Sequence, residues 1–180
     1  MRVFIAIPVP NELKDILLNL QSEFSQIGKF KLVEKENLHL TLKFLGEISD
    51  EEKNKVIEAL ESIKFKRFNL SLASIGVFPS ESYVRVIWVG ISKGDEKIRE
   101  LQNLVEQVLS KLEFKKEKNF HSHITLARVK WIDKIKMREI LNKYKGKEFG
   151  SFYVESIDIM KSELKQRGPI YSLIKRIPLR

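Results

Sequence analysis

Two hydrophobic periodicities alternate along the chain. Alternating apolar residues and clusters of β-branched residues predict strands at 2–8, 38–45, 68–78, 83–90, 123–129, 152–161 and 171–178. Apolar residues at three- and four-residue spacing predict amphipathic helices at 11–24 and 95–112. A further helix follows Ser49, which has Glu52 at the capping-box spacing, and a shorter helix spans 133–144. The chain is therefore predicted to mix strands and helices throughout.

The order of these elements repeats. The first half runs strand, helix, strand, helix, strand, and the same β-α-β-α-β series begins again near residue 81, with one strand added at its end. We therefore expect an α+β fold, formed as a single domain of two pseudo-symmetric lobes with repeats at roughly 1–80 and 81–180. Two copies of such a unit would face each other across a pseudo-two-fold cleft.

Composition narrows the class of protein. The net charge of +9 favours a polyanionic partner, because each lysine or arginine that neutralises a phosphate releases counterions; a lysine-rich solvated surface is the alternative. The chain has no cysteine, which excludes disulfides, thiolate nucleophiles and cysteine-based zinc sites. No apolar run approaches the ~20 residues of a membrane-spanning helix. We expect a cytoplasmic monomer without membrane association.

The chain has three histidines, His39, His121 and His123. A metal site built from them would need carboxylates nearby, and those closest before His123 are Glu113 and Glu117. This arrangement does not favour a metal site. We expect the protein to use no metal and no cofactor.

Two of the histidines occupy equivalent positions in the two predicted repeats. His39 precedes Thr41 in His-Leu-Thr-Leu, and His123 precedes Thr125 in His-Ile-Thr-Leu. Residues two apart on a strand share a face and lie ~6.5–7 Å apart, so each histidine and its threonine can contact one phosphate. A single histidine of this kind is more often structural. The coincidence of residue type, register and repeat position favours a function for the pair.

Paired imidazoles suit the cleavage of a phosphodiester. One group must deprotonate the attacking oxygen while another protonates the departing oxygen, and imidazoles with an unperturbed pKa of ~6.5 can do both near neutral pH. The hydroxyls of Thr41 and Thr125 can donate hydrogen bonds to non-bridging oxygens, where charge accumulates. This reaction requires no metal.

The paired motifs resemble those of the 2H phosphoesterase superfamily. The surrounding sequence is similar to the RNA 2′,3′-cyclic phosphodiesterases long named 2′-5′ RNA ligases, over nearly the whole chain. The similar segments lie at 3–7, 36–39, 43–46, 76–79, 85–88, 126–128 and 162–164, with Gly168 and Tyr171.

The resemblance implies a bilobal fold in which antiparallel sheets line a basic central cleft, with helices outside. It implies that His39 is the proton donor to the leaving ribose oxygen and His123 the proton acceptor that activates water, which leaves a 2′-phosphate. The implied substrate is RNA with a 2′,3′-cyclic phosphate end, and tRNA fragments are candidates. The residues themselves require only one acid and one base.

Four further residues are candidates for substrate binding. Phe44 and Arg128 each lie five residues after a motif histidine, and in relatives an aromatic residue and an arginine at these places hold the nucleobase. Strict alternation instead sends both away from the histidine face, unless a bulge or strand twist turns them back. Lys43 shares the His39 face and either attracts phosphate or is simply solvated. Tyr171 either borders the cleft or serves packing.

This chain departs from the family pattern just before the second motif: relatives often have proline there, whereas Phe120-His121-Ser122 stands here and introduces a third histidine, His121. It would share a face with His123 if the strand began early. No residue in the first half corresponds to it, so we interpret His121 as a neighbour of the site rather than a catalyst.

Two other functions use the same residues. An RNA-binding protein without turnover would keep the basic cleft, although it would not need a titratable group on each side of it. RNA end joining would place a ribose 5′-hydroxyl where water attacks. The chain has no phosphate-binding Gly-x-x-x-x-Gly-Lys-[Ser/Thr] loop, so the cyclic phosphate would have to supply the energy. We expect 2′-5′ ligation to be ATP-independent and minor.

Overall fold

The computed structural model describes all 180 residues, as nine strands, four α-helices and a short 3-10 helix at Lys35–Asn37. The helices are α1 (Asn11–Phe24), α2 (Asp50–Glu61), α3 (Asp95–Ser110) and α4 (Lys134–Tyr144). The strands are β1 (Arg2–Pro8), β2 (Gly28–Leu32), β3 (His39–Glu47), β4 (Phe68–Ser80), β5 (Tyr83–Ile91), β6 (Ile124–Ile132), β7 (Glu148–Val154), β8 (Ser156–Lys165) and β9 (Gly168–Pro178).

The strands form an antiparallel arrangement with a symmetric order. Eight of them follow the order β7-β4-β5-β6-β3-β1-β8-β9, and β2 also pairs with β6. The lobe β7-β4-β5-β6 joins the lobe β3-β1-β8-β9 through a single pair of residues, Leu40 and Ile124, which are the second residues of the two His-x-Thr motifs. The prediction of an α+β, pseudo-two-fold duplication is confirmed, while the repeat boundary near residue 80 stays a prediction.

Each lobe contains strands from both halves of the chain. β4, from the first half, pairs with β5 and β7, whereas β8 and β9, from the second half, extend the sheet beyond β1. Of the 40 buried hydrophobic residues, 37 accordingly form one continuous cluster that runs through both lobes. This shared core keeps the two motif strands in a constant relation to each other.

Local sequence explains where the helices begin. Ser49 accepts a hydrogen bond from the backbone of Glu52 and the Glu52 carboxylate accepts one in return, which is the predicted capping box. Asp133 caps α4 in a similar way. α3 follows Gly94, whose φ of 91° and close approach to the carbonyl of Asn69 exclude a side chain. α1 contacts β6 and β7, and α3 contacts β3 and α2.

Two features of the sheet differ from those that the hydrophobic pattern predicts. β2 was not predicted, because its sequence Gly-Lys-Phe-Lys-Leu is short and mostly exposed. The predicted strand at 152–161 is two strands, β7 and β8, separated at Glu155 and paired in different lobes. Apolar residues continue across this break, so periodicity alone does not show it.

Candidate active site

A β-bulge in β3 changes which side chains face the cleft. Thr41 and Lys43 pair with consecutive residues of β1, so Leu42 has no partner there. Leu42 and Lys43 are consecutive in sequence, yet both are buried. The alternation therefore shifts by one residue, and Phe44 lies 69% exposed at the cavity that His39 and Thr41 also line.

β6 contains the equivalent bulge. Thr125 and Ala127 pair with consecutive residues of β5, so Leu126 has no partner. Leu126 and Ala127 are both buried, and Arg128 is exposed at the same cavity as His123. The two bulges occupy the fourth position of the two motifs. The bulges therefore place Phe44 and Arg128 at the cavity, although strict alternation would point both side chains away from it.

Buried glutamines hydrogen-bond to both bulges. Gln21 on α1 donates from Nε2 to the carbonyls of Val33 and Leu126, at 2.8 and 2.9 Å. Gln102 on α3 donates to the carbonyl of Leu42 at the longer distance of 3.5 Å. The Leu126 carbonyl also accepts from the backbone N–H of Val33 at 2.9 Å, so Gln21 is its second donor and ties the β6 bulge to the residue after β2.

Backbone carbonyls orient both motif histidines. Nδ1 of His39 lies 2.6 Å from the carbonyl oxygen of Asn37, and Nδ1 of His123 lies 2.6 Å from that of His121. A carbonyl only accepts hydrogen bonds, so each Nδ1 carries the proton. Nε2 is then the nitrogen that can gain or lose a proton in each ring. Nε2 of His39 also lies 2.7 Å from Oγ1 of Thr41.

Aromatic side chains enclose both imidazoles. The rings of Phe4 and Tyr171 lie 4.8 and 5.4 Å from that of His39, and Tyr171 meets it edge-on. The ring of Phe78 lies 5.0 Å from that of His123, also edge-on. These contacts replace water around the two rings and hold them in place.

Burial lowers the pKa of both imidazoles below the ordinary value. For His39, desolvation is the largest cause, opposed by the hydrogen bond to the Asn37 carbonyl and reinforced by the positive charge of Lys14. Desolvation is also the largest cause of the lowered pKa of His123; the hydrogen bond to the His121 carbonyl opposes it, and the His121 side chain reinforces it. The neutral form of each ring is therefore favoured in the free protein, and Nε2 carries a lone pair.

A cavity of about 240 Å³ collects the motif side chains. Its charged lining has three cations, Lys31, Arg128 and Arg167, against one carboxylate, Glu34, which suits an anionic ligand. It is lined by Lys31, Leu32, Val33, Glu34, Asn37, His39, Thr41, Phe44, His123, Thr125, Arg128, Arg167, Gly168, Pro169 and Tyr171.

Two walls of this cavity consist of residues that the sequence alone did not identify as site residues. One is 31–34, which comprises the end of β2 and the two residues after it; the other is Arg167 to Pro169, at the turn between β8 and β9. The side chain of Asn37 donates to the carbonyl of Pro169 at 3.0 Å and ties the second wall to the 3-10 helix that precedes His39. The strand pairing brings these residues to the cavity, and no local signal identified them.

The prediction that Lys43 faces the substrate or solvent is wrong. Lys43 is 3% exposed, forms an ion pair with Glu106 and donates to the carbonyl of Lys115 at 2.7 Å. The bulge at Leu42 turns it toward α3 and away from the cavity. The same Glu106 accepts from the backbone of Glu117, so the ion pair anchors the loop that leads to the second motif.

His121 lies beside the cavity rather than in its lining. β6 begins at Ile124, so the early strand start that would align His121 with His123 does not occur. The His121 ring is exposed and packs 4.9 Å from that of Trp88, which is half-buried. Its defined contribution to the site is the carbonyl that orients His123. Next to it, buried Ser122 donates to Asp95 in the first turn of α3.

The structure also bears on metal binding and on membrane insertion. No three or more His, Cys, Asp or Glu side chains come together in a group that could hold a metal ion. Among the helices, none combines the length and apolar character needed to cross a membrane.

The fold and cavity define a class of protein. Two His-x-Thr strands, related by a pseudo-two-fold axis and opening on one basic cavity, are the architecture of a phosphoesterase with two histidines. The chain belongs to the LigT like phosphoesterase family, because the model of that family matches it twice, at residues 7–88 and 89–171. The two matches agree with the duplication seen in the strand order.

Similar proteins support this membership. An RNA 2′,3′-cyclic phosphodiesterase from Methanocaldococcus jannaschii is 43% identical over 176 residues, which cover 97% of this chain and 99% of the relative. The crystal structure of TT0787 from Thermus thermophilus has a TM-score of 0.84 and 28% identity, and covers 100% of this chain and 98% of that one. E. coli LigT complexed with 3′-AMP has a TM-score of 0.78 and 26% identity, covering 99% and 96%.

Proposed function

We propose that this protein opens the 2′,3′-cyclic phosphate at the end of RNA by two-histidine acid–base catalysis without a metal, and leaves a 2′-phosphate. The observation that carries the proposal is the position of both motif histidines in one basic cavity, each with Nε2 as its exchangeable nitrogen. Acid–base hydrolysis needs this pair of groups and no other cofactor. Relatives named RNA 2′,3′-cyclic phosphodiesterase supply the substrate class.

His39 acts as the proton donor and His123 as the proton acceptor in this proposal. His123, neutral in the free protein, takes the proton of the attacking water at Nε2. His39 then gives its Nε2 proton to the departing 3′-oxygen of the ribose. It acquires that proton when the anionic phosphate binds, because a negative charge nearby favours the imidazolium form. This division of roles follows the family resemblance.

The threonines hold the phosphate between the histidines. Thr41 and Thr125 line the cavity on the same strands as the two imidazoles. Their hydroxyls donate to the non-bridging oxygens, where negative charge grows as water adds to phosphorus. The hydrogen bond between Thr41 and Nε2 of His39 is exchanged for contacts with the substrate.

Phe44 and Arg128 hold the terminal base. The two bulges place both side chains, exposed, at the edge of the cavity. An aromatic ring and a guanidinium plane each stack favourably on a nucleobase. Tyr171 completes this wall beside His39. Burial raises the pKa of the Tyr171 hydroxyl, and the positive charge of Arg128 opposes this effect.

In this proposal the protein acts as a cytoplasmic monomer on RNA fragments, among which pieces of tRNA are candidates. One chain supplies every residue of the cavity. ATP-independent 2′-5′ ligation is a minor activity of the same site, because water outcompetes a 5′-hydroxyl that no surface pre-positions. RNA binding without turnover is a weaker proposal, since two oriented imidazoles serve proton transfer rather than binding.

The experiment is incubation of RNA ending in a 2′,3′-cyclic phosphate in the presence of a metal chelator. We expect complete opening to the 2′-phosphate, with the oxygen that retains the phosphate identified by ³¹P NMR. His121→Ala is the control variant for substitutions of the motif histidines. It removes an imidazole that does not line the cavity, so it should retain turnover. Loss of activity in chelator with recovery on adding metal, or a 3′-phosphate product, contradicts the proposal.

A further inference from the structure

We infer that the paired strands β2 and β6 carry a second RNA-binding subsite, which receives the nucleotides on the 5′ side of the terminal one. The subsite begins at Arg128, which also holds the terminal base, and continues along Lys31, Lys29 and Trp131; these four residues are called here the β2–β6 strip. The inference rests on the proposed function, since it extends the substrate from a terminal nucleotide to a longer RNA chain.

The register of β2 and β6 places the four side chains on one face. Residues directly opposite in an antiparallel pair share a face, and Lys31 lies opposite Arg128, where both line the cavity. Lys29 is two residues from Lys31 and so returns to that face, and Lys29 lies opposite Trp131. Between these pairs, buried Val129 and half-buried Phe30 point to the core.

A further bulge makes this alignment possible. β6 has an extra residue between Val129 and Trp131, at Lys130, which has no partner on β2. Without it, strict alternation from Arg128 would put Lys130 opposite Lys29 and turn Trp131 away. With it, the cavity face of β6 presents Arg128 and then Trp131, about 6.5–7 Å further along the sheet, because their partners Lys31 and Lys29 are two residues apart. A continuous surface therefore leads from the cavity along β6.

The charges of the strip are free for an anionic ligand. Lys29, Lys31, Arg128 and the neighbouring Lys130 are exposed, and none of them is in any of the ion pairs of the structure. Several unpaired cations along one face attract a chain of phosphates and release its counterions. Trp131 is 60% exposed among them, and an exposed indole flanked by cations is suited to stack on a base.

The opposite wall of the cavity offers a less suitable route. The β8–β9 hairpin exposes Leu164 and Ile170, which cannot bind phosphate, and Glu163 forms ion pairs with both Lys161 and Lys165, which leaves Arg167 as the unpaired cation of the hairpin beside the cavity. RNA leaving the cavity along β2 and β6 meets cations and an aromatic ring instead. The observations therefore favour the β2–β6 strip.

The test compares two substrates, cytidine 2′,3′-cyclic phosphate and an RNA of about ten nucleotides with the same end. Trp131→Ala should lower kcat/KM for the RNA about tenfold, because one stacked base is lost, and leave the mononucleotide unaffected. Trp131 does not line the cavity, so the mononucleotide does not reach it. Trp131→Phe keeps an aromatic face and should retain most of the activity on RNA.

Two further variants sharpen the comparison. Lys29→Ala should reduce the slope of log(kcat/KM) for the RNA against log salt concentration by about 0.7, the value for one phosphate contact on a single strand. Tyr153→Ala removes an aromatic residue that is 52% exposed on β7, away from the strip, and should change neither substrate. Equal losses on both substrates in Trp131→Ala, or no loss on RNA, would overturn the inference.

The subsite and the proposed function can fail separately. If the wild-type protein opens neither substrate, the proposed function fails, and the strip is tested by binding of a fluorescent RNA with a 2′-phosphate end. Weaker binding by Trp131→Ala than by Tyr153→Ala then supports the subsite. Equal binding by the two variants overturns it.

Discussion

At the scale of single residues, the site depends on which nitrogen of each imidazole is available. The carbonyls two residues before His39 and His123 hold Nδ1–H in both rings, so both present Nε2. The aromatic rings around them exclude water, which lowers the pKa of both. In the free protein both imidazoles are therefore bases, and in the proposed mechanism His39 must gain a proton when the substrate binds.

This environment predicts a specific pH dependence. His123 works in its neutral form, so the acidic limb of kcat/KM should lie below the ordinary imidazole pKa of ~6.5. His39 works protonated, and its lowered pKa makes kcat/KM fall as pH rises through that value. Bound phosphate raises the pKa of His39, so the basic limb of kcat should lie at higher pH than that of kcat/KM.

The measurement is a pair of pH–rate profiles for a nucleoside 2′,3′-cyclic phosphate, one at limiting and one at saturating substrate. A basic limb of kcat that lies at the same pH as that of kcat/KM, or at lower pH, contradicts the assignment of His39 as the acid.

At the scale of secondary-structure elements, the bulges decide which side chains reach the substrate. Each adds one buried residue after the His-x-Thr unit, so the site is formed by positions i, i+2 and i+5 of each strand. A helix from the adjoining layer supplies a glutamine to each bulge carbonyl. Gln21 donates at short distance to both Val33 and Leu126, whereas Gln102 lies 3.5 Å from its single acceptor, so Gln21 makes the stronger contacts.

Replacing Gln21 with leucine should therefore disturb the second motif. The substitution keeps the side-chain volume but removes two donated hydrogen bonds, which should lower the free energy of unfolding by about 1–3 kcal/mol. Because the Leu126 bulge aims Arg128, KM should rise more than kcat falls. Gln107→Leu, at an exposed position on α3, is the control and should change neither quantity.

Chemical denaturation and steady-state kinetics on RNA together check this prediction. Unchanged KM in a destabilised Gln21→Leu protein would show that the glutamine supports the fold without positioning Arg128.

The bulges also mark the limit of what the sequence could predict at this scale. The helix Asn11–Phe24 and the strand Arg2–Pro8 were predicted with the bounds that the structure shows, because their periodicity is local. Lys43 was misplaced because a bulge depends on the pairing of β3 with β1, which no run of β3 residues encodes alone. β2 escaped detection because it is only five residues long and none of its residues is fully buried.

At the scale of the whole molecule, function depends on the duplication. Leu40 and Ile124 form the only pair between β3 and β6, so the antiparallel strands diverge on either side of it and leave a cleft between the lobes. The exchange of β4 and of β8–β9 between the lobes gives them a common core. The relative position of the two histidines is therefore set by the whole fold and not by a hinge.

The candidate site was predictable in part for the same reason. Repetition of His-x-Thr at matching places made the two motifs visible in the sequence. Lys31 and Arg167 carry no such repeat, and they reach the cavity only because β2 pairs with β6 and because the β8–β9 turn folds over the first motif strand. Residues brought together by long-range pairing require the structure.

The most direct test of the account is the single-turnover opening of an RNA 2′,3′-cyclic phosphate by His39→Gln, His123→Gln and the double variant, with chelator present. Each single variant should fold normally and lose about 10²–10⁴ in rate, the usual contribution of one acid–base group. The double variant should lose little more than the worse single variant, because the two groups act in one step. A folded single variant that keeps more than about a tenth of the wild-type rate contradicts two-histidine catalysis.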